Sequence, residues 1–367
     1  MDKLENCYKQ NINVTKSVDN SFISQHSVEN TMKYRITLKI VATLICLFMS
    51  SQAQAGPKYL FKIATLAPAG SVWIEQFEKF SAQILEDTGG EVGFRIYPGG
   101  VMGDDQAMLR KMRVGQLHGG GFTMTGVSLK VPDFRVMGIP LLFESYKEVD
   151  FVRKGLMPEF VKQFREQGLE FVAMTEVGFI YAMSTKPVNN YAMFKDTKNW
   201  SPTGDPISEA FMKSLGITPI ALTIPDVLSS LQSGLIETVY NSYYGSIIMQ
   251  WFTKAKYIVD FPYGYAYGVF AISSKKFNKL PQSHKDAINK AASTYFPILL
   301  AETRKSNEES HKVLAERGNK FLTLDDDTIA ILKEKRDLSM DQVIPSAVSS
   351  EIYQHTIELI NEYRGQK

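Results

Sequence analysis

The chain has 367 residues, 44% of them hydrophobic and 22% charged, an ordinary globular composition with length enough for two domains that each bury a core. Its 41 Lys/Arg and 39 Asp/Glu give a net charge of +2, which excludes a strongly basic binder of nucleic acid or of acidic membrane surfaces. Both cysteines, Cys7 and Cys46, fall within the first 55 residues, so the rest of the chain holds no disulfide framework, no Cys zinc site and no thiol nucleophile.

The stretch "MKYRITLKIVATLICLFMSSQAQAG" begins at Met32. Lys33, Arg35 and Lys39 form a basic region, Ile40 to Met49 an apolar run, and Ala53-Gln54-Ala55 the small residues of a cleavage site, the pattern of a secretory signal peptide over 32–55. The apolar run is too short to span a bilayer, which takes ~20 residues; the competing reading is a buried N-terminal helix. No leucine stands three residues before Cys46, which argues against a lipoprotein anchor. Residues 1–31 are polar, precede this signal, and are expected not to belong to the native protein. Residues 1–55 hold 6 of the basic and 4 of the acidic residues, so the remainder carries 35 of each. An exported, cysteine-free protein suits the periplasm.

"KYLFKIATL" (58–66) reads as a strand. Trp73, Phe77, Phe80 and Ile84 then recur at helical spacing until Gly89-Gly90. "EVGFRIY" (91–97) is a strand, Gly103-Asp104-Asp105 opens a helix carrying Met108, Leu109 and Met112, and "GGGFTMT" (119–125) is a third strand. This alternation predicts a largely parallel sheet. A pair of strand-like runs follows in 168–188. The pattern then restarts with a turn at 199–205, a helix at 206–215, a strand at 217–223, a helix capped by Asp226 and a strand at 235–242. Two α/β units predict two lobes with a ligand cleft between them. Residues 282–317 read as one kinked helix or two helices around Pro297, and amphipathic helix follows the acidic turn Asp325–Asp327.

Chemistry-bearing motifs are missing. His118, His284, His311 and His355 are not paired at metal spacing, and there is no H-E-x-x-H, G-x-S-x-G, P-loop or G-x-G-x-x-G. "GGGFTMTG" has the wrong spacing for a phosphate loop. No metal or cofactor is expected, and the reading is a binding protein rather than an enzyme. Four segments lie at strand ends, where ligands of open α/β sheets bind. "TLAPAGSVW" offers Thr65, Ser71 and Trp73; "FTMTG" offers Met124 and Thr125; "NWSPTGDP" offers Trp200, Ser201 and Thr203; "VYNSYYG" offers Tyr240, Asn241, Tyr243 and Tyr244. Each also has a plain reading, with Trp73 and Met124 in the core, Trp200 as a plug between strand and helix, and the tyrosines as packing between lobes.

Four segments in order, "KIATLAPAGSVW", "YPGGVMGDDQAMLRKMRVGQLHGG", "VMGIPLLFESYKEV" and "LSSLQSGLIETVYNSYYG", resemble the extracytoplasmic solute receptors of tripartite ATP-independent periplasmic (TRAP) transporters, of the DctP type, over essentially the whole chain after residue 55. The resemblance implies an α/β, two-lobed periplasmic-binding-protein-like fold (class II type) with a long helix spanning both lobes, for which 282–317 is the candidate. It assigns 56–180 plus about 269–308 to one lobe and 181–268 plus about 309–367 to the other. It implies a periplasmic receptor that hands a small organic solute, an organic acid or another compound with an apolar or aromatic part, to the small and large permease subunits for ion-gradient-driven uptake. Asn241 falls at the family's Asn in "E-N-P", with Tyr240 and Ser242 replacing its neighbours.

One departure stands out. The family reads "L-K-G-x-K-x-R-x-P" where this chain reads "DTKNWSPTGDP", and the family's arginine pairs with the ligand carboxylate. Trp200 or Ser201 stands there instead. A carboxylate would then rely on the helix N-terminus after Asp205-Pro206, with the hydroxyls of Ser201 and Thr203, although Asp205 would repel an anion if it pointed inward. Alternatively, Trp200 with Trp73, Tyr240, Tyr243 and Tyr244 forms an aromatic box for an aromatic, apolar or cationic ligand. Two other classes stay open: a ligand-binding protein that feeds a membrane sensor, and an exported enzyme, which would need a pair such as Glu176 with His118 in the cleft.

Overall fold

The structure, a computed structural model, describes residues 56–366; the expectations for the signal peptide and for residues 1–31 lie outside the described residues. β1 (Tyr59–Thr65), α1 (Val72–Asp87), β2 (Val92–Tyr97), α2 (Asp105–Arg113) and β3 (Gly119–Thr123) alternate as the periodicity predicts, and β1 runs parallel to both β2 and β3. Ser71 caps α1 by accepting from the Ile74 N–H, and Asp104 caps α2 by accepting from the Ala107 N–H. Such a cap is worth ~1 kcal/mol. The Gly119–Gly121 run is sterically required: a Cβ on Gly119 would lie 2.6 Å from the Ala271 carbonyl oxygen, and one on Gly120 would lie 2.9 Å from that of Ala64. These glycines let the strands approach closely.

A short α3 (Met124–Val127), a 3-10 segment (Pro132–Gly138) and α4 (Tyr146–Glu166) lead to β4 (Leu169–Ser184). The two expected strand runs are thus one strand of 16 residues, whose pairing with β9 shifts register between Phe171 and Ala173 and between Glu176 and Gly178. Gly178 has φ +106°, which disfavours any side chain. The chain goes on through α5 (Tyr191–Lys195), β5 (Trp200–Pro202), α6 (Pro206–Ser214), β6 (Ile220–Leu222), α7 (Val227–Ser233), β7 (Thr238–Asn241), α8 (Tyr243–Ile248), β8 (Tyr257–Val259) and β9 (Gly264–Ser273). It ends with α9 (Ser274–Phe277), α10 (Gln282–Glu316), β10 (Lys320–Leu322), α11 (Asp326–Ala347) and α12 (Ser350–Gly365).

The expectation of a largely parallel sheet needs correction. β9 inserts antiparallel between β3 and β4, so the strand order is β10-β8-β4-β9-β3-β1-β2, with β7 also on β4. β4 pairs with β9 as far as Ile180; from Tyr181 onward it pairs with β7 and β8. One strand therefore serves both halves of the two-lobed fold. β5 and β6 run parallel, and an Asn199–Thr238 bridge joins them to β7.

α10 is a single helix of 35 residues that runs through Pro297, about 50 Å long at 1.5 Å per residue. It packs on α1 and β4 and also on α8. Its first half closes a core of Phe61, Ile63, Phe80, Phe270 and Phe296, while a second, larger core takes in the other face of the sheet together with α6, α11 and α12.

Candidate ligand-binding cavity

A cavity of about 240 Å³ lies where the β1–α1, β3–α3, β5–α6 and β7–α8 connections converge on β4 and β9. Its wall is mostly aromatic and aliphatic. Seven of the twelve residues singled out from the sequence line it: Thr65, Trp73, Met124, Thr125, Trp200, Tyr240 and Asn241. Many of their polar atoms are already engaged. Thr65 Oγ1 accepts from the Ala67 N–H at 3.2 Å. The Trp73 indole donates to the Glu176 carbonyl at 2.9 Å, and the Trp200 indole to the Leu222 carbonyl at 3.0 Å. Tyr240 donates to Asn199 Oδ1 at 2.6 Å, and Asn241 Oδ1 accepts from the Ser242 N–H at 2.8 Å. Trp200 is nearly inaccessible and meets Trp251 edge-on at 5.3 Å, so it is at once a packed core residue and part of the wall. The two predicted indoles thus offer the cavity apolar surface, and their single donors serve the backbone.

The other five are not on the wall. Ser71 is the α1 cap and donates to the Pro68 carbonyl. Ser201 is buried in β5, and Thr203 is exposed, its N–H donating to the Leu222 carbonyl at 3.2 Å. Tyr243 stacks on Tyr181 at 3.9 Å and donates to Asp260. The Tyr244 hydroxyl accepts the Val72 N–H at 2.9 Å, and its ring packs edge-on against Trp73 at 5.1 Å. Tyr244 therefore ties α8 to α1 and fixes the Trp73 ring from behind.

The N-terminus of α6 is occupied from within. Asp205 is buried, lines the cavity and caps α6, accepting from the Ser208 N–H at 3.2 Å and the Ser208 hydroxyl at 2.7 Å. Burial raises its pKa, against hydrogen bonds from Ser208 and Ile207 and the nearby Arg135 charge. Glu176 also lines the cavity. Arg304 of α10 donates to both of its oxygens at 2.8 Å, and Tyr265 donates to one of them at 2.8 Å. His118 is not among the lining residues; its ring nitrogen takes part in the β1 backbone network, so the Glu176–His118 pair that an enzyme would need does not form. Among the described residues no group of three His, Cys, Asp or Glu is placed to hold a metal.

Sequence reasoning missed Tyr263 and Trp251, which also line the cavity. Tyr263 stands just before β9, an element with no strong period-2 signal. Trp251 lies six residues beyond the quoted "VYNSYYG" run, and its aromatic ring was the available cue.

The profile of bacterial extracellular solute-binding proteins, family 7 (DctP), matches residues 63–345. The chain belongs to this family. Its relatives are distant. The sialic acid-binding periplasmic protein SiaP of Vibrio cholerae is 22% identical over 68% of this chain and 78% of its own length. The C4-dicarboxylate-binding periplasmic protein DctP of Rhodobacter capsulatus is 23% identical over 76% and 83%. Among solved structures, a TRAP periplasmic solute-binding protein from Desulfovibrio salexigens with bound orotic acid superposes with a TM-score of 0.76 at 20% identity, covering 84% of this chain and 99% of its own. A Bordetella pertussis extracytoplasmic solute receptor binding pyroglutamic acid gives 0.76 at 16% identity, covering 82% and 99%. This family 7 protein is accordingly a two-lobed solute-binding protein and not an enzyme, and no described helix is long and apolar enough to cross a membrane.

Proposed function

We propose that this family 7 protein is a periplasmic receptor that captures a small organic solute between its lobes and delivers it to the membrane subunits of a TRAP permease for ion-gradient-driven uptake. The observation that carries this is the cavity itself: it forms where connections from both halves of the fold meet, on the strand that serves both. The seven predicted residues on the wall contact the solute, and the remaining five hold the wall in shape. The lobes comprise 56–180 with about 269–308 and 181–268 with about 309–367; the change of β4's partners at Tyr181 supports the first boundary. Export by the signal peptide at 32–55 belongs to the same proposal.

The test is a thermal-shift screen of residues 56–367 against carboxylates, sugar acids, aromatic acids, amines and neutral solutes. The hit is then supplied to vesicles holding the permease subunits under an ion gradient. A solute at 100 times its Kd stabilises by ~2.7 kcal/mol. Uptake should require the receptor and the gradient but no ATP; uptake indifferent to the receptor refutes the proposal.

A further inference from the structure

The wall of the cavity carries ionisable side chains of one sign. Glu176 and Asp205 reach it, and none of its lining residues is a lysine, arginine or histidine. The arginines behind it are committed elsewhere: Arg304 to Glu176 and Asp150, and Arg135 to the carbonyls of Ser128 and Ala347. The α6 terminus, the remaining anion site that the sequence offered, is filled by the Asp205 carboxyl. A ligand carboxylate would meet no cationic side chain on the wall and no free N-terminus on α6, and would stand near two carboxyl groups, Glu176 already paired with Arg304 and Asp205 hydrogen-bonded to Ser208. The donors of Trp73, Trp200, Tyr240 and Tyr265 are all spent on the protein.

The Asn241 amide N–H₂ and the Thr125 hydroxyl on the wall make no hydrogen bond among the described residues, and one fully buried polar atom of the wall is likewise left without a partner. Tyr263 lines the cavity, is only 9% exposed, and its hydroxyl has no hydrogen-bond partner among the described residues. A buried hydroxyl left unpaired costs ~1–3 kcal/mol, so a ligand that satisfies it gains that much. Burial raises the Tyr263 pKa well above its ordinary value, and the Tyr240 and Asp205 charges push the same way; the hydroxyl therefore stays protonated and shares a neighbourhood with the Asp205 carboxyl. A carboxylate has about four lone-pair sites, and Asp205 accepts from Ser208 and Ile207 alone.

Building on the solute-receptor reading, we propose that the cavity selects a small solute with an apolar or aromatic body and a neutral or cationic donor group, an amide, hydroxyl or amine, seated on Tyr263 and Asp205, and that it rejects free carboxylates. Trp73 and the small accessible surfaces of Trp200 and Trp251 line the space that takes the body.

All three tryptophans of the chain line the cavity, so intrinsic fluorescence reports its filling. The wild-type protein, Asp205→Asn and Tyr263→Phe are titrated with benzoate, benzamide, benzyl alcohol and benzylamine, and with hexanoate, hexanamide and hexylamine, and calorimetry checks each response. In at least one series the neutral or amine member should bind about tenfold tighter than its carboxylate, the effect of one good hydrogen bond. Asn caps helices as well as Asp does, so Asp205→Asn should stay folded and narrow that gap by strengthening carboxylate binding. Tyr263→Phe should weaken the donor-bearing probes about fivefold to tenfold. A carboxylate that binds as tightly as its amide overturns this inference and leaves the receptor reading intact. Failure of every probe to alter the fluorescence, in the wild type and both variants, counts against the receptor reading itself and takes the inference with it.

Discussion

Arg304 joins three elements, and its removal has a calculable cost. Its Nε and Nη2 donate to the two oxygens of Glu176 at 2.8 Å, its Nη1 and Nη2 to those of Asp150 at 2.8 and 2.7 Å, and the guanidinium lies 4.4 Å from the Tyr146 ring. The Glu176 side chain is wholly buried, whereas Asp150 is 38% exposed. Arg304→Leu would leave Glu176 with the Tyr265 hydroxyl as its one remaining side-chain donor. Removing one partner of a buried pair costs about 3–5 kcal/mol; the solvent-screened Asp150 half adds at most ~1 kcal/mol. Most of the loss should come from the stranded charge, so adding Glu176→Gln should return about 1–3 kcal/mol. The assay is denaturant unfolding followed by tryptophan fluorescence for the wild type, both single variants and the double variant. A double variant no more stable than Arg304→Leu alone would refute the reasoning, because the damage would then lie in lost packing and not in an uncompensated carboxylate.

Asp105 supplies a prediction in pH. It is buried behind the cavity wall, and desolvation pushes its carboxyl up to about 7 against hydrogen bonds from the Thr123 hydroxyl and N–H. An unfolded Asp titrates near ~3.9, so between about pH 4 and pH 7 the native state binds the extra proton and stability falls as pH rises, by up to ~4 kcal/mol. Asp105→Asn should remove that decline in melts at pH 4.5 and 7.5; an unchanged slope would show that the group does not carry it. Tyr244→Phe leaves the Val72 N–H without its partner and should cost about 1–2 kcal/mol, with faster hydrogen exchange at the Val72 amide as the specific sign. Gly268→Ala would place a Cβ 2.3 Å from the Phe122 carbonyl oxygen, so the β3–β9 ladder has to open. The expected loss is about 1–3 kcal/mol, and a Tm equal to that of the wild type would contradict it.

The first three strands and two helices were legible because each has a clean period; Asp104 stands at the turn that opens α2, whereas Ser71, read from the sequence as a ligand contact, is the cap of α1. α6 was legible for the same reasons, with Asp205 as its cap; α10, whose N-terminal Pro281 makes no side-chain cap, was legible from helical composition alone, and Pro297 obscured that it is one helix. β9 was illegible. It is buried on both sides between β3 and β4, so its sequence GYAYGVFAIS shows no alternation, and its antiparallel insertion is a tertiary fact. In the cavity, residue types at strand ends picked out seven residues that line it but gave no account of where donors were spent. The two predicted tryptophans reach the wall, yet their N–H groups serve backbone carbonyls, and Tyr243 and Tyr244 face away because the short α8 turns them toward Tyr181, Asp260 and Val72.

The insertion of β9 bears on the order in which the chain can acquire its structure. Gly119 of β3 pairs with Ile272, and Leu169 of β4 with Ser273, so the first lobe cannot close its sheet until the whole second α/β unit has been made. A chain truncated after Ser184 would expose two long unpaired strand edges, a template for sticking to other chains. Contacts so distant in sequence also make folding slow. Each lobe is therefore a dependent half: cutting the chain at any one loop between them should yield fragments that aggregate or recombine, and neither fragment should survive as a small folded protein.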